Sequence, residues 1–295
     1  MRSSWEADAV FALLDSGPFG YGHQHEDKLT FVLYAYGRQL ILDPGNYSYD
    51  RSKWRRYVLG THGHNTVMVD GEGQHRRGNR ATYVWPKPWD TPRPAGDDTV
   101  WFSDGTADYV CGSYRDGYGK RAAQKVVHTR AMLFVKPEYF VILDTVAPAN
   151  DKEHEYTSLF HLDAEEANLD PATLRVSTSV PGKANVHILP APFPGLAGRV
   201  AKGVEDPVQG WANGPWRPVP TAVYTLKGAG ETHWVTVVYP TPADTACPVA
   251  SVTTSNEEDG TRVTVRFSNG REDVCLFAHA AAPAGKPFQL TRFAP

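Results

Sequence analysis

Lys28-Leu29-Thr30-Phe31-Val32-Leu33-Tyr34-Ala35-Tyr36-Gly37-Arg38-Gln39-Leu40-Ile41-Leu42 carries the clearest fold signal in the chain. Its residues alternate between two faces, with Leu29, Phe31 and Leu33 on one and Val32, Tyr34 and Tyr36 on the other. That is the period-2 pattern of a strand. Gly37 supplies a turn, and residues 39–42 return as the partner of a hairpin with aromatic and aliphatic cross-strand pairs. The same grammar recurs down the chain. Residues 66–69 form a short strand stopped by Asp70-Gly71-Glu72-Gly73. Residues 126–135 and 139–146 flank Lys136-Pro137-Glu138 as a long hairpin. Val263, Val265 and Phe267 alternate with Arg262, Thr264 and Arg266. Residues 234–239 and 274–277 are more continuously apolar and are expected to be buried on both faces. Nowhere does a 3.6-residue period persist for three turns. The expected fold is all-β, a large multi-stranded antiparallel β-sandwich (a supersandwich).

Composition agrees. In 295 residues there are 26 Gly, 23 Pro and 34 aromatics but only three Met, a balance of turns and strands rather than helices. A hydrophobic fraction of 41% is enough for a large core, and a formal net charge of -3 offers no basic field for nucleic acid. No run approaches the ~20 apolar residues of a membrane helix. The first eight residues lack the apolar stretch of a signal peptide. Two readings follow: a cytoplasmic protein, or part of a longer one whose targeting signal lies upstream. Cys111, Cys247 and Cys275 are widely separated and form no Cys-x-x-Cys pair, so they read as isolated core thiols, one disulfide being the alternative. Two Pro- and Trp-rich stretches, 85–96 and 190–220, read as ordered loops. Their rings either face sugar or pack over a sheet edge.

Chemically able residues crowd the first quarter, where five of the eleven histidines fall between positions 23 and 75. His23 and His25, two apart at a strand entrance, are expected on one face, ~6–7 Å apart. Asp43 ends the returning strand beside Pro44-Gly45, and a bulge or bend is needed to bring it to His25. His64 stands at the entrance of the next strand. Two imidazoles and a carboxylate, with one position left for water, make a common zinc set. The same donors also form the facial triad of iron oxygenases.

These motifs resemble the heparinase II/III-like family, which also embraces several alginate lyases. The similar pieces are Gly22-His23-Gln24-His25-Glu26-Asp27-Lys28-Leu29, Tyr34-Ala35-Tyr36-Gly37-Arg38, Leu42-Asp43-Pro44-Gly45, Tyr47-Ser48-Tyr49 and His64-Asn65-Thr66-Val67-Met68-Val69-Asp70-Gly71. Residues 128–144 and Phe160-His161-Leu162 match more loosely. The resemblance implies a two-domain polysaccharide lyase with an N-terminal helical toroid before a β-sandwich. Residues 1–14 would be the joining segment and 15–295 the sandwich, the toroid lying outside this sequence. It implies zinc on His25, Asp43 and His64 in a mainly structural role, with His23 freed to face substrate. Tyr49 and Tyr57 are the candidates for a tyrosine that some relatives contribute from this domain. Arg55, Arg56 and Tyr57 are the candidates for substrate binding, an Arg pairing a uronate carboxylate through its fork.

The expected chemistry is β-elimination on an acidic, uronate-containing polysaccharide, with the toroid supplying the remaining groups, so that the present chain is incomplete as an enzyme. The expected location of the full-length protein is the periplasm or cell envelope, with the cytoplasm as alternative. Two rivals are kept. One is a metal-dependent cupin-like oxygenase, disfavoured because Glu26 directly follows His25. The other is a non-catalytic carbohydrate-binding module, suggested by the Trp-rich loops.

Overall fold

The computed structural model describes residues 1–17, 23–76, 99–213, 216–278 and 286–294. The loop expected at 85–96, with Trp85 and Trp89, and Gly22 of the first motif lie outside these residues. The molecule is built in three layers. At its centre lies an eight-stranded antiparallel sheet in the spatial order Ala167–Leu169, Val176–Thr178, Asn185–Pro190, Thr232–Thr241, Tyr139–Pro148, Val126–Val135, Ala107–Tyr114 and Val100–Ser103. Its long strands are dry on both faces because a sheet covers each. Met132, Phe134, Ile142 and Val238 enter one core, while Leu133, Val135, Val141 and Val237 enter the other.

The back layer is a four-stranded sheet, Val249–Glu257, Gly260–Phe267, Glu272–Ala278 and Phe288–Phe293. Residues 274–277, expected to be buried on both sides, are corrected here. Cys275 and Phe277 point inward, but Val274 and Leu276 are only half-buried. An outer layer has one dry face, and a short apolar run does not say which layer it joins. Residues 234–239, in the middle layer, do lie buried on both faces.

The front layer holds two smaller sheets. One pairs Phe11–Leu14 with Phe31–Ala35, and that strand with Arg38–Ile41. The other orders Ala197–Ala201, Thr221–Ala229, Glu153–His161 and Val67–Val69. Residues 1–14, expected as a joining segment, are therefore woven into the fold, with Val10 and Ala12 buried in the front core. The deciding hairpin is shorter than its pattern. Positive φ at Leu29 delays its start to Phe31, and Tyr36 and Gly37, at φ 51° and 82°, make the tight turn. A register shift between Leu33 and Tyr34 bends the returning strand.

One helix was not expected. Helix α1 (Lys53–Leu59) is capped by Ser52, whose Oγ accepts the Arg55 amide hydrogen at 3.1 Å. Seven residues are too few for periodicity to register. No helix among the described residues is long and apolar enough to cross a membrane. The three cysteines are free thiols, and burial pushes Cys275 up to about 12. Within 190–220, Trp211 and Trp216 stack on each other at 5.8 Å and meet Trp54 of α1, so these rings pack rather than present an open face.

Candidate functional site

The site stands on a buried polar knot. Asn65 is fully buried and donates through Nδ2 to the carbonyls of Phe31 and Leu42, both at 2.8 Å, which clamps the two hairpin strands together. Its Oδ1 accepts the His161 amide hydrogen at 2.7 Å. Arg130, also fully buried, donates to the carbonyls of Leu29 and Asn65 at 2.8 and 2.6 Å. It forms a two-point ion pair with Asp144, whose Oδ1 also meets His128 Nε2 at 2.7 Å. Burial alone would raise the Asp144 pKa, but the Arg130 charge and the hydrogen bonds from His128 and Arg130 outweigh it and hold it at about 2. The middle sheet thus fixes the front strands from which the site residues hang.

The segment carrying His23 and His25 is not a strand extension. His23 has φ 55°, so strand alternation does not apply there. The loop is instead tied to the region around α1. The Glu26 amide donates to the Leu59 carbonyl at 2.8 Å, and Thr61 Oγ1 donates to the Glu26 carbonyl at 2.8 Å. Arg76 holds the Gln24 carbonyl at 2.6 Å. The expectation of two histidines side by side on one face is therefore corrected. His23 Nδ1 lies 3.0 Å from the Tyr49 hydroxyl, whereas the His25 ring lies 5.3 Å from the ring of His64.

His64 is fully buried between two acceptors. Its Nε2 is 3.0 Å from the Val58 carbonyl, which can only accept, so Nε2 keeps its hydrogen. Its Nδ1 faces Asp43 Oδ2 at 2.9 Å. Two atoms bearing lone pairs meet this closely only with a proton or a cation between them. Burial opposes a charge on His64, but the Asp43 carboxylate prevails and raises its pKa. His25 moves the other way, lowered by burial and by the charge of His64. One ligand atom each from His25, Asp27 and His64 lie within 4.8 Å of one another. Asp27 was missed by sequence reasoning; its place two residues after His25 was the available signal. Asp43 enters through its bond to His64 and through Gly45, whose amide donates to its Oδ1 at 2.9 Å. At Gly45, with φ 77°, a Cβ would come within 2.9 Å of Asn213.

The remaining candidates separate. Tyr49 is 72% exposed, and the Arg55 guanidinium sits 4.7 Å over its ring while bonding the Asn46 carbonyl at 2.6 Å. His23, Tyr49 and Arg55 therefore form an open row beside the His25–His64 cluster. Arg56 is exposed and donates to the Arg51 carbonyl at 2.8 Å. Tyr57 is corrected. It is fully buried, burial raises its pKa, and its hydroxyl accepts the Trp211 amide hydrogen at 3.4 Å, so it packs α1 and cannot meet substrate.

A family model described as heparinase II/III-like, C-terminal, matches residues 3–285. The chain belongs to this family. Heparin-sulfate lyases from Bacteroides stercoris and Pedobacter heparinus are 27% and 25% identical over 150 and 147 residues, in each case 48% of this chain and 19% of the lyase. Among solved structures, a heparinase III gene product superposes with a TM-score of 0.70 at 19% identity, and a heparan sulfate lyase from Pedobacter heparinus with 0.67 at 18%. Each covers 99% of this chain and 40% of the solved one, so this heparinase-like chain spans under half the length of those structures. At these identities the superpositions establish the shared fold.

Proposed function

We propose that this chain is the β-sandwich portion of a lyase that cleaves uronate-bearing glycosaminoglycan by β-elimination. The observation that carries the proposal is the hydrogen-bonded, solvent-facing pair His23–Tyr49 with Arg55 over the tyrosine ring. Elimination needs a base for the C5 proton, an acid for the departing O4, and a positive group that neutralises the carboxylate so that C5 becomes acidic. An imidazole and a phenol 3.0 Å apart can hold and exchange a proton, and Arg55 supplies the charge. The relatives named above are lyases of heparin sulfate, which makes heparan-type chains the first substrate to try. A periplasmic or envelope location suits such a substrate and is part of the same proposal.

Zinc belongs to the proposal as well. The donors fit it: imidazole nitrogens of His25 and His64, and a carboxylate of Asp43 that already faces His64 Nδ1 at 2.9 Å, with Asp27 beside them. A cation at Nδ1 would replace the proton that the His64–Asp43 contact otherwise demands. Bound there, zinc supplies a rigid anchor for the loop that carries His23.

The test uses a full-length enzyme containing this domain, with release of unsaturated uronate followed by ultraviolet absorbance. His23→Ala and Tyr49→Phe are each expected to lower kcat by roughly 10²–10⁴ with little change in KM. Unchanged kcat in both would overturn the assignment. The present chain by itself is expected to release little product, and appreciable release would show that the catalytic set lies wholly within it.

A further inference from the structure

A groove of about 310 Å³ opens where the loop after Asn185–Pro190 passes the start of Val249–Glu257. Arg175, Phe193, Leu196, Pro190, Thr173 and Ser251 are among its lining residues. None of them belongs to the segments that build the His23 and His64 region. The volume lies at the small end of small-molecule sites and suits one or two sugar rings.

Its chemistry is one-sided. Among the described residues that line it, Arg175 is the only charged one and none is a carboxylate. The guanidinium is held by Nη2, which donates to the Val249 carbonyl at 2.7 Å, while Nε is buried with no hydrogen-bond partner. The nearest acid in sequence, Asp170, feels the charge of Arg175, but its carboxylate accepts from the Ala172 amide at 2.9 Å and the Thr173 hydroxyl at 2.7 Å and is not among the lining residues. A guanidinium anchored to the Val249 carbonyl, with no carboxylate among the described lining residues, favours an anion in the groove. Phe193 is half-buried, and its carbonyl accepts the Leu196 amide hydrogen at 3.1 Å, which closes the loop into a tight turn. That arrangement offers an apolar wall beside the charge.

We propose that this groove is a second, non-catalytic site for an acidic sugar, whose carboxylate or sulfate pairs with Arg175 while its ring lies against Phe193. A chain that acts on a charged polymer gains from holding it at two places, because the second contact is then intramolecular. The groove stands independently of the elimination chemistry, and the test keeps the two apart.

The probes are a glucuronate-containing disaccharide, unsulfated and sulfated, with neutral cellobiose as control. Binding is read by calorimetry and by backbone amide shifts in the His23→Ala protein, in which the front site is disabled. The disaccharides are expected to bind and to shift amides of residues 190–196 and 249–252, while cellobiose does not. Preference for the sulfated form assigns the sulfate to Arg175, and equal binding assigns the carboxylate. Arg175→Ala is expected to weaken binding at least tenfold. Phe193→Ala, which keeps the charge, is expected to weaken it severalfold and serves if Arg175→Ala fails to fold. Affinity unchanged in both variants, or shifts confined to the segments around Tyr49 and His64, would overturn the proposal.

Discussion

A single residue shows how far this site depends on groups that never meet substrate. Arg130 is fully buried and spends its donors on Asp144 and on the carbonyls of Leu29 and Asn65. Replacing it with Met is expected to cost about 3–5 kcal/mol, because Asp144 would keep its contact with His128 but lose its ion pair while staying buried. Denaturant unfolding of Arg130→Met beside the parent measures this. His187 gives a separate prediction about acid. Burial, and then the charge of Arg175, lowers it to about 4 while it sits between the Ser177 and Thr241 hydroxyls. The unfolded chain therefore binds this proton first, from about pH 6.5 downward, and the folded chain only near pH 4. Stability is accordingly lost as pH falls through that window, by on the order of 3 kcal/mol from this residue. His187→Gln, which can still bond both hydroxyls, is expected to flatten the loss between pH 6.5 and 4; a parallel decline in both proteins would contradict it. At this scale the sequence showed which residue types gather near His25 but not their partners. His23 and His25 part because one positive φ breaks the alternation on which their pairing was judged, and Tyr57 is lost to the core because a helix turns it inward.

Among the elements, α1 matters most for its length. Its seven residues carry Arg55 outward and Tyr57 inward, and Ser52 caps it. Ser52→Ala is expected to cost about 1 kcal/mol. In a full-length enzyme it should also raise KM, because Arg55 loses its fixed start. Thermal unfolding together with steady-state kinetics checks both, and a stability loss without any kinetic effect would detach Arg55 from substrate. The helix was illegible in sequence because two turns give periodicity nothing to repeat. The hairpin Val126–Val135 with Tyr139–Pro148 was legible almost to the residue, because its strands are long and Lys136-Pro137-Glu138 interrupts them. Residues 274–277 were misjudged for a third reason. Local pattern reports apolar content, whereas burial on one face or two depends on which layer the strand joins.

For the molecule as a whole, three layers give the middle sheet two dry faces, and the front layer hangs its loops from that rigid support. Fold class was readable because alternation is a local property repeated in many strands. Site assembly was only partly readable, since His25, Asp27 and His64 come together, with Asp43 bonded to His64, through loops whose course depends on Asn65, Thr61 and Arg76. On the proposed division of labour, His25, Asp43 and His64 hold zinc while His23 works with Tyr49 on substrate. Metal content after exhaustive dialysis, measured by mass spectrometry on the parent, His23→Ala and His25→Ala proteins, tests it most directly. About one zinc per chain is expected in the parent and in His23→Ala, and an emptied site in His25→Ala. A parent without zinc, or His23→Ala emptied as fully as His25→Ala, would contradict it.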